Sequence, residues 1–286
     1  MNHSLVPDYL LIGHVTKDNT PQGPILGGTC SYSGVTAHKL AQRVAIVTRV
    51  GPDIPALDAL RGIEVECLMD SVSTTFENAY QGGVRHQKLL AVSKPLSLEN
   101  VPSTWRNTPI IHLAPIAQEI SPAMSNDFPN SLICATIQGW LRGRDSQDNV
   151  IYQPHPELDA WLSRIDVLVM SLEDVLGDKG QLTHFLTSVR LGVETLGPRG
   201  CLIYYDGQTI HVPVEPAEEV DPTGAGDIFA AAFFIQYHRT RDFIRAAQFA
   251  NACASMSVGR VGVEGSPSLA EVERRVLEMY HPAEHP

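Results

Sequence analysis

VDPTGAGDIFAAAFF, residues 220–234, sets two aspartates, a proline and two glycines against an apolar run. The glycines and the proline interrupt regular structure, and the run behind them reads as a buried helix. A glycine-rich turn feeding a helix exposes unpaired N–H groups at the positive end of the helix dipole, which favours a phosphate. Gly224 and Gly226 give the turn its backbone freedom, and Ala225 is small enough for close approach. Asp227 then stands in the first helical turn beside those donors. A carboxylate there can accept a hydroxyl proton while the N–H groups hold charge growing on a transferred group. Taken alone, the turn reads equally as an anion site or as an ordinary helix cap. The dinucleotide fingerprint G-x-G-x-x-G does not fit, because GAGDIF lacks the third glycine, and no G-x-x-x-x-G-K-[ST] occurs in the chain.

Around that turn lie 286 residues, 43% hydrophobic and 19% charged, an ordinary globular balance that argues against disorder. The net charge of −11 argues against a nucleic-acid or anionic-membrane binder, although a nest of backbone N–H groups can still hold a small anion. The five cysteines are dispersed, with no C-x-x-C pair, and read as buried reduced thiols of a cytoplasmic protein. The apolar run near the N-terminus is too short for a membrane span and lacks a basic flank. His14, His38, His86 and His112 show no metal-ligand spacing. Trp105, Trp140 and Trp161 read as packing residues.

Residues 8–15, 44–50 and 63–69 read as strands, with helical spacing over 27–43 and a short helix over 54–62 between them. This β–helix–β–helix–β order predicts an α/β fold with parallel strands. The segment 73–92 differs: two polar-alternating strands flank Gly82-Gly83 and read as a hairpin exposed on one face. Residues 109–115, 131–136 and 165–171 are again buried strands. Residues 201–214 read as a hairpin turning near Asp206-Gly207, and 224–238, 242–258 and 267–280 as helices.

With these elements in order, VDPTGAGD and its small-residue helix resemble the closing signature of the ribokinase-like (PfkB) sugar kinases, and the likeness extends along almost the whole chain. Gly13 with Asp18 resembles the family's first strand and substrate-gripping aspartate. LGGTCSYSG resembles the di-glycine segment of the sugar site, GVETLGPRGCLIYYDG the segment over the nucleotide, and SLAEVERRV the last helix. The resemblance implies a single domain over 1–286, a three-layer α/β/α fold with a mostly parallel sheet. A small β lid is expected mainly from 73–92, with 16–26 as a second contributor. It also implies an ATP-dependent phosphotransferase in which Asp227 is the catalytic base and Gly224, Ala225 and Gly226 form the anion hole.

Further roles follow from the same resemblance. Asp18, Gly27, Gly28, Tyr32 or Ser33, Glu77, Asn78, Arg85, Gln138 and Arg142 are expected to meet the acceptor. Ser171, Thr195, Gly197, Gly200, Gly224, Gly226 and Asn251 are expected to meet ATP. The family's Asn-x-x-Glu motif becomes Ser171-x-x-Asp174, so Glu173 or Asp174 would order Mg2+ through water. Asp221, Thr223, Ser257, Arg260, Gly262 and Ser266 fall at the spacing of a potassium-type site built mostly from main-chain oxygens. TIQGWLRG and TTFENAYQGG resemble myo-inositol kinases more than ribokinases, which makes a sugar or cyclic polyol the expected small-molecule partner. No nucleic acid or membrane partner is expected, and the state is monomer or homodimer. A nucleoside kinase is the alternative within the class, and a catalytically silent sugar-binding regulator the alternative outside it.

Overall fold

The protein is described by a computed structural model covering residues 5–81 and 84–280, with backbone alone for 79–81 and 84–86. Strand β1 (Tyr9–Ile12) is followed by β2 (Thr16–Thr20), β3 (Gly23–Gly27), α1 (Thr29–Lys39), β4 (Val44–Val50) and β5 (Glu64–Met69). A hairpin of β6 (Thr75–Gln81) and β7 (Val84–Ala91) precedes β8 (Ile110–Leu113) and β9 (Leu132–Thr136). Next come a small hairpin, β10 (Arg142–Arg144) with β11 (Val150–Tyr152), the single-turn α2 (Leu158–Trp161), β12 (Val167–Ser171), α3 (Lys179–Thr187) and β13 (Leu191–Thr195). The chain closes with β14 (Cys201–Tyr205), β15 (Gln208–Val212), α4 (Ala225–Thr240), α5 (Phe243–Ser257) and α6 (Leu269–Tyr280).

Nine strands make the central sheet in the order β15-β14-β13-β12-β9-β8-β1-β4-β5. From β5 across to β13 every pairing is parallel, and only the β13–β14 and β14–β15 pairings at the far edge are antiparallel. Strands β1, β8 and β9 in the middle are buried at every position because both faces are covered. Tyr9 and Leu11 enter the core on one face, Leu10 and Ile12 the core on the other. The first face packs against α1, α4 and α5. The second is covered by α3, α2 and a series of 3-10 turns, giving the α/β architecture expected.

The lid draws equally on the two expected segments rather than mainly on 73–92. A second sheet, ordered β3-β2-β6-β7, takes half its strands from residues 16–27. Its β2 sequence, TKDNT, has no apolar alternation to announce a strand. The helix expected over 54–62 shortens to a 3-10 turn at Leu57–Leu60, while β10, β11, α2 and α3 add to the expected elements. The Gly82-Gly83 turn and the helix stop at His281-Pro282 lie outside the described residues.

Parallel strands deliver their carboxyl ends to one edge of the sheet, where α/β proteins place their ligand crevice. The segments leaving that edge here include Gly13 after β1, Gln138 after β9, the turn beginning at Ser171 after β12, and Leu196 after β13.

Candidate active site

Two helices begin at this edge without a side-chain cap. Helix α1 starts at Gly28 (φ 85°) and α4 at Gly224 (φ 76°). By contrast, α3 and α5 are capped by Asp178 and Asp242, whose carboxylates accept two backbone N–H bonds each. Both glycines are needed. A Cβ on Gly28 would lie 2.9 Å from the His14 carbonyl, and one on Gly224 would enter the Tyr32 ring at 2.2 Å. Gly226 differs from the expectation of an unusual backbone: it is helical, exposed, and faces open space where a Cβ would meet nothing within 4 Å. The Ala225 N–H turns back onto the Pro222 carbonyl (3.1 Å), so that donor stays inside the turn.

The two helix starts meet at Asp227. Thr29, the first residue of α1, hydrogen-bonds its carboxylate, and the Ser33 hydroxyl donates to its backbone carbonyl at 2.9 Å. Asp227 keeps part of its surface open to solvent, yet the protein crowded around the carboxyl desolvates it. Desolvation raises its pKa from 3.8 to about 6; Thr29 and the Arg142 charge pull it down, and the charge of Asp174 pushes it up. A base that titrates near neutrality, beside the start of a helix, suits proton removal from an alcohol.

Asp174 is the second carboxylate of the cluster. It accepts from the Ser171 N–H (2.7 Å), the Ser171 hydroxyl (3.1 Å) and the Gln138 amide (3.0 Å). Burial raises its pKa, while these hydrogen bonds and Arg142 lower it. Glu173, the other candidate, is exposed. The Arg142 guanidinium lies 5.6 Å from the centre of the Phe76 ring, which links the cluster to the lid.

On the lid, Asp18 accepts from the Thr16 hydroxyl at 2.8 Å, and its carboxylate packs on the Cα of Gly27, where a Cβ would lie 2.5 Å away. Asp18 pairs with Phe76 across β2 and β6, so the two share a face. Asn78 lies on that face two residues on and accepts from Gln87 at 2.9 Å. Glu77 points the opposite way and is exposed, a correction that strand alternation alone dictates. Arg85 sits opposite Tyr80 on β7, with its side chain outside the described residues.

Other expectations change through burial. Tyr32 is 3% exposed and packs beneath Gly224, and Ser33 is fully buried, so both shape the turn from below. Asn251 spends its amide on the Val212 carbonyl (3.0 Å) and on Tyr280, tying β15 to α5 and α6 from a buried position. Thr195 ends β13, and Gly197 (φ 58°) leads an open turn beside a groove of about 490 Å³ lined by Leu196, Pro198, Arg199, Leu202, His211, Pro213 and Val214. Gly200 (φ 90°) is held by packing, since a Cβ would meet the Val212 carbonyl at 2.2 Å.

The loops expected to hold a monovalent cation are tied by the chain's own donors. The Asp221 carboxylate accepts from the Thr223 N–H (3.0 Å) and the Gly262 N–H (3.2 Å). The Ser257 carbonyl accepts from the Arg260 N–H (2.9 Å), and the Arg260 side chain pairs with Glu271 at 2.8 Å. Ser266 is buried, its hydroxyl 2.8 Å from that of Thr36. Among the described residues no group of three or more His, Cys, Asp or Glu could hold a metal directly, and no helix is long and apolar enough to cross a membrane. All five cysteines are free thiols, and all but Cys67 are buried. Thr29 and Phe76 join the site beyond the residues expected from the sequence; the place of Thr29 directly after Gly27-Gly28 is its one sequence signal.

Residues 142–269 match the pfkB family carbohydrate kinase profile. A cytidine kinase of Thermococcus kodakarensis is 25% identical over 254 residues, 82% of this chain and 90% of the relative. A nucleoside kinase of Methanothermobacter thermautotrophicus is 24% identical over 280 residues, covering 87% and 84%. Among solved structures, a pyrophosphate-dependent myo-inositol-1 kinase converted into a myo-inositol-3 kinase superposes with a TM-score of 0.78 at 17% identity, over 94% of this chain and 98% of that one. With its parallel sheet, its strand lid and a glycine-led turn feeding a buried helix, this chain has the fold of ribokinase-family structures, and its residues 142–269 are similar to the pfkB family of carbohydrate kinases.

Proposed function

We propose that the protein transfers the γ-phosphoryl group of ATP to a hydroxyl of a small sugar or cyclic polyol, with Asp227 as the base. The observation that carries this reading is a carboxylate with its pKa at about 6, in the first turn of a helix that no side chain caps. The acceptor hydroxyl hydrogen-bonds to Asp227 and gives up its proton as its oxygen attacks phosphorus. The N–H groups at the start of α4 hold the charge gathering on the transferred group, so the chain contributes positioning and electrostatics. Thr29 orients the carboxylate, and Arg142 balances the two neighbouring acids.

Magnesium, when bound with ATP, neutralises phosphate charge. Asp174 would meet it through water, since its oxygens already accept from Ser171 and Gln138. The open turn at Thr195–Gly200 leaves room along its groove for the nucleotide.

For the acceptor, we place myo-inositol first, on Gln138 and Arg142 in TIQGWLRG and on the lid sequence TTFENAYQGG. A nucleoside is the second reading, favoured by two relatives named as cytidine and nucleoside kinases that each cover more than four-fifths of the chain. Incubation with Mg-ATP and a panel of inositols, hexoses, pentoses and nucleosides, followed by ADP release, separates them. Turnover on inositols is expected. Turnover on nucleosides alone would move the acceptor to the second reading, and none on any acceptor would favour a silent sugar binder.

A further inference from the structure

We infer that Lys39 provides the positive charge that fastens the loop pair 220–223 and 257–266, so that this chain holds its phosphate turn without a monovalent cation. Donors of the chain already point at most of the oxygens at potassium-type spacing, which makes them a poor fit for an added ion. The Lys39 ammonium, on the last residue of α1, donates to the Glu264 carbonyl at 2.5 Å and to the Ser266 carbonyl at 2.9 Å. An ammonium group carries the charge of a potassium ion and, like it, is satisfied by carbonyl oxygens, through three N–H donors.

Four more of these groups already accept from the chain or lie against it: the Asp221 carboxylate, the Ser257 and Gly262 carbonyls and the Ser266 hydroxyl. Both oxygens of Asp221 face backbone N–H groups, those of Thr223 and Gly262. An N–H directed at the carboxylate attracts it and would repel a cation brought to the same place. The Ser257 and Gly262 carbonyls accept from the N–H groups of Arg260 and Gly265 at 2.9 and 3.0 Å, and the Ser266 hydroxyl is buried against Thr36. The result is a continuous path. Lys39 grips Glu264 and Ser266; the Gly262 N–H of the same loop grips Asp221; and Asp221 begins the turn that ends at Gly224. Helix α1 closes the circuit, since its first residue, Thr29, bonds Asp227 and its last, Lys39, fastens the loop.

The test compares the wild-type protein in potassium, sodium and tetramethylammonium chloride at equal ionic strength, by melting temperature and by Mg-ATP turnover. Both are expected to be the same in all three salts. In Lys39→Met, both are expected to fall in tetramethylammonium, with turnover lower on the order of tenfold for the lost charged hydrogen bonds. Potassium should restore part of each, the ion entering where the ammonium stood. The inference is overturned if wild-type protein melts higher and turns over faster in potassium than in tetramethylammonium, or if Lys39→Met behaves alike in every salt. Should the variant fail to fold, the wild-type comparison still decides. The turnover arm rests on the kinase reading and the melting arm does not, so failure of the two can be told apart.

Discussion

The turn at 220–227 and the loop at 257–266 flank the α4–α5 pair, and each contains a glycine in the left-handed region, Gly224 (φ 76°) and Gly262 (φ 68°). Their polar groups point to opposite uses. At the first, no side chain caps the helix, Gly226 faces open space, and a carboxylate waits with its pKa near 6. At the second, carbonyls and hydroxyl are consumed by Lys39, Thr36 and neighbouring N–H groups. Similar spacing of small and acidic residues thus yields one loop open to a ligand and one closed by its own chain. The deciding groups on both sides come from a third element, α1.

Four experiments break or sharpen that contrast. Asp227→Asn has the largest expected effect, a loss on the order of 10²–10⁴ in kcat with nucleotide binding kept. The same substitution should stabilise the fold. With its folded pKa above the unfolded one, the native state binds more protons between about pH 4 and 6, so wild-type stability falls as pH rises through that window. A higher melting temperature of Asp227→Asn at neutral pH, vanishing in acid, would record the cost of keeping an ionised base in a crowded site.

Next is Gly224→Ala, which meets both a left-handed backbone and the Tyr32 ring, and should cost about 2 kcal/mol or more in denaturant unfolding, together with turnover. Intact stability would mean that the turn is looser than its packing implies. Third, turnover should rise with pH through about 6 as Asp227 ionises, and Thr29→Val should move this acid limb upward by removing a bond that lowers the pKa. A limb near 3.8 would show an Asp227 that is not desolvated. Smallest is Asn251→Ala, expected to cost about 1–2 kcal/mol through its buried amide while leaving the KM for ATP unchanged. A raised KM would return Asn251 to the nucleotide site.

The strands of the central sheet were legible because burial on both faces leaves a continuous apolar run, as in YLLI and VAIVTRV. The lid was half legible: β6 and β7 alternate, whereas β2 is polar throughout and is a strand only because β3 and β6 pair with it. Glu77 and Asn78 look alike in sequence and separate only once a strand turns neighbours to opposite faces. Asn251 and Tyr32 matched the family pattern by position, but their burial gives the amide to backbone carbonyls and the ring to Gly224.

By itself the sequence determined the α/β order and the character of residues 220–234, since a glycine turn before an apolar helix exposes the same N–H groups wherever it stands. It also placed an acid in that turn. Only the tertiary structure decided what surrounds it: burial raises the Asp227 pKa, and Thr29, Arg142 and Asp174, brought in from distant stretches, adjust it. The same holds for Lys39, which is an unremarked lysine in the sequence and a clamp in the fold. Charge is written in the chain, but the strength of an electrostatic interaction depends on separation and burial, and folding alone supplies both.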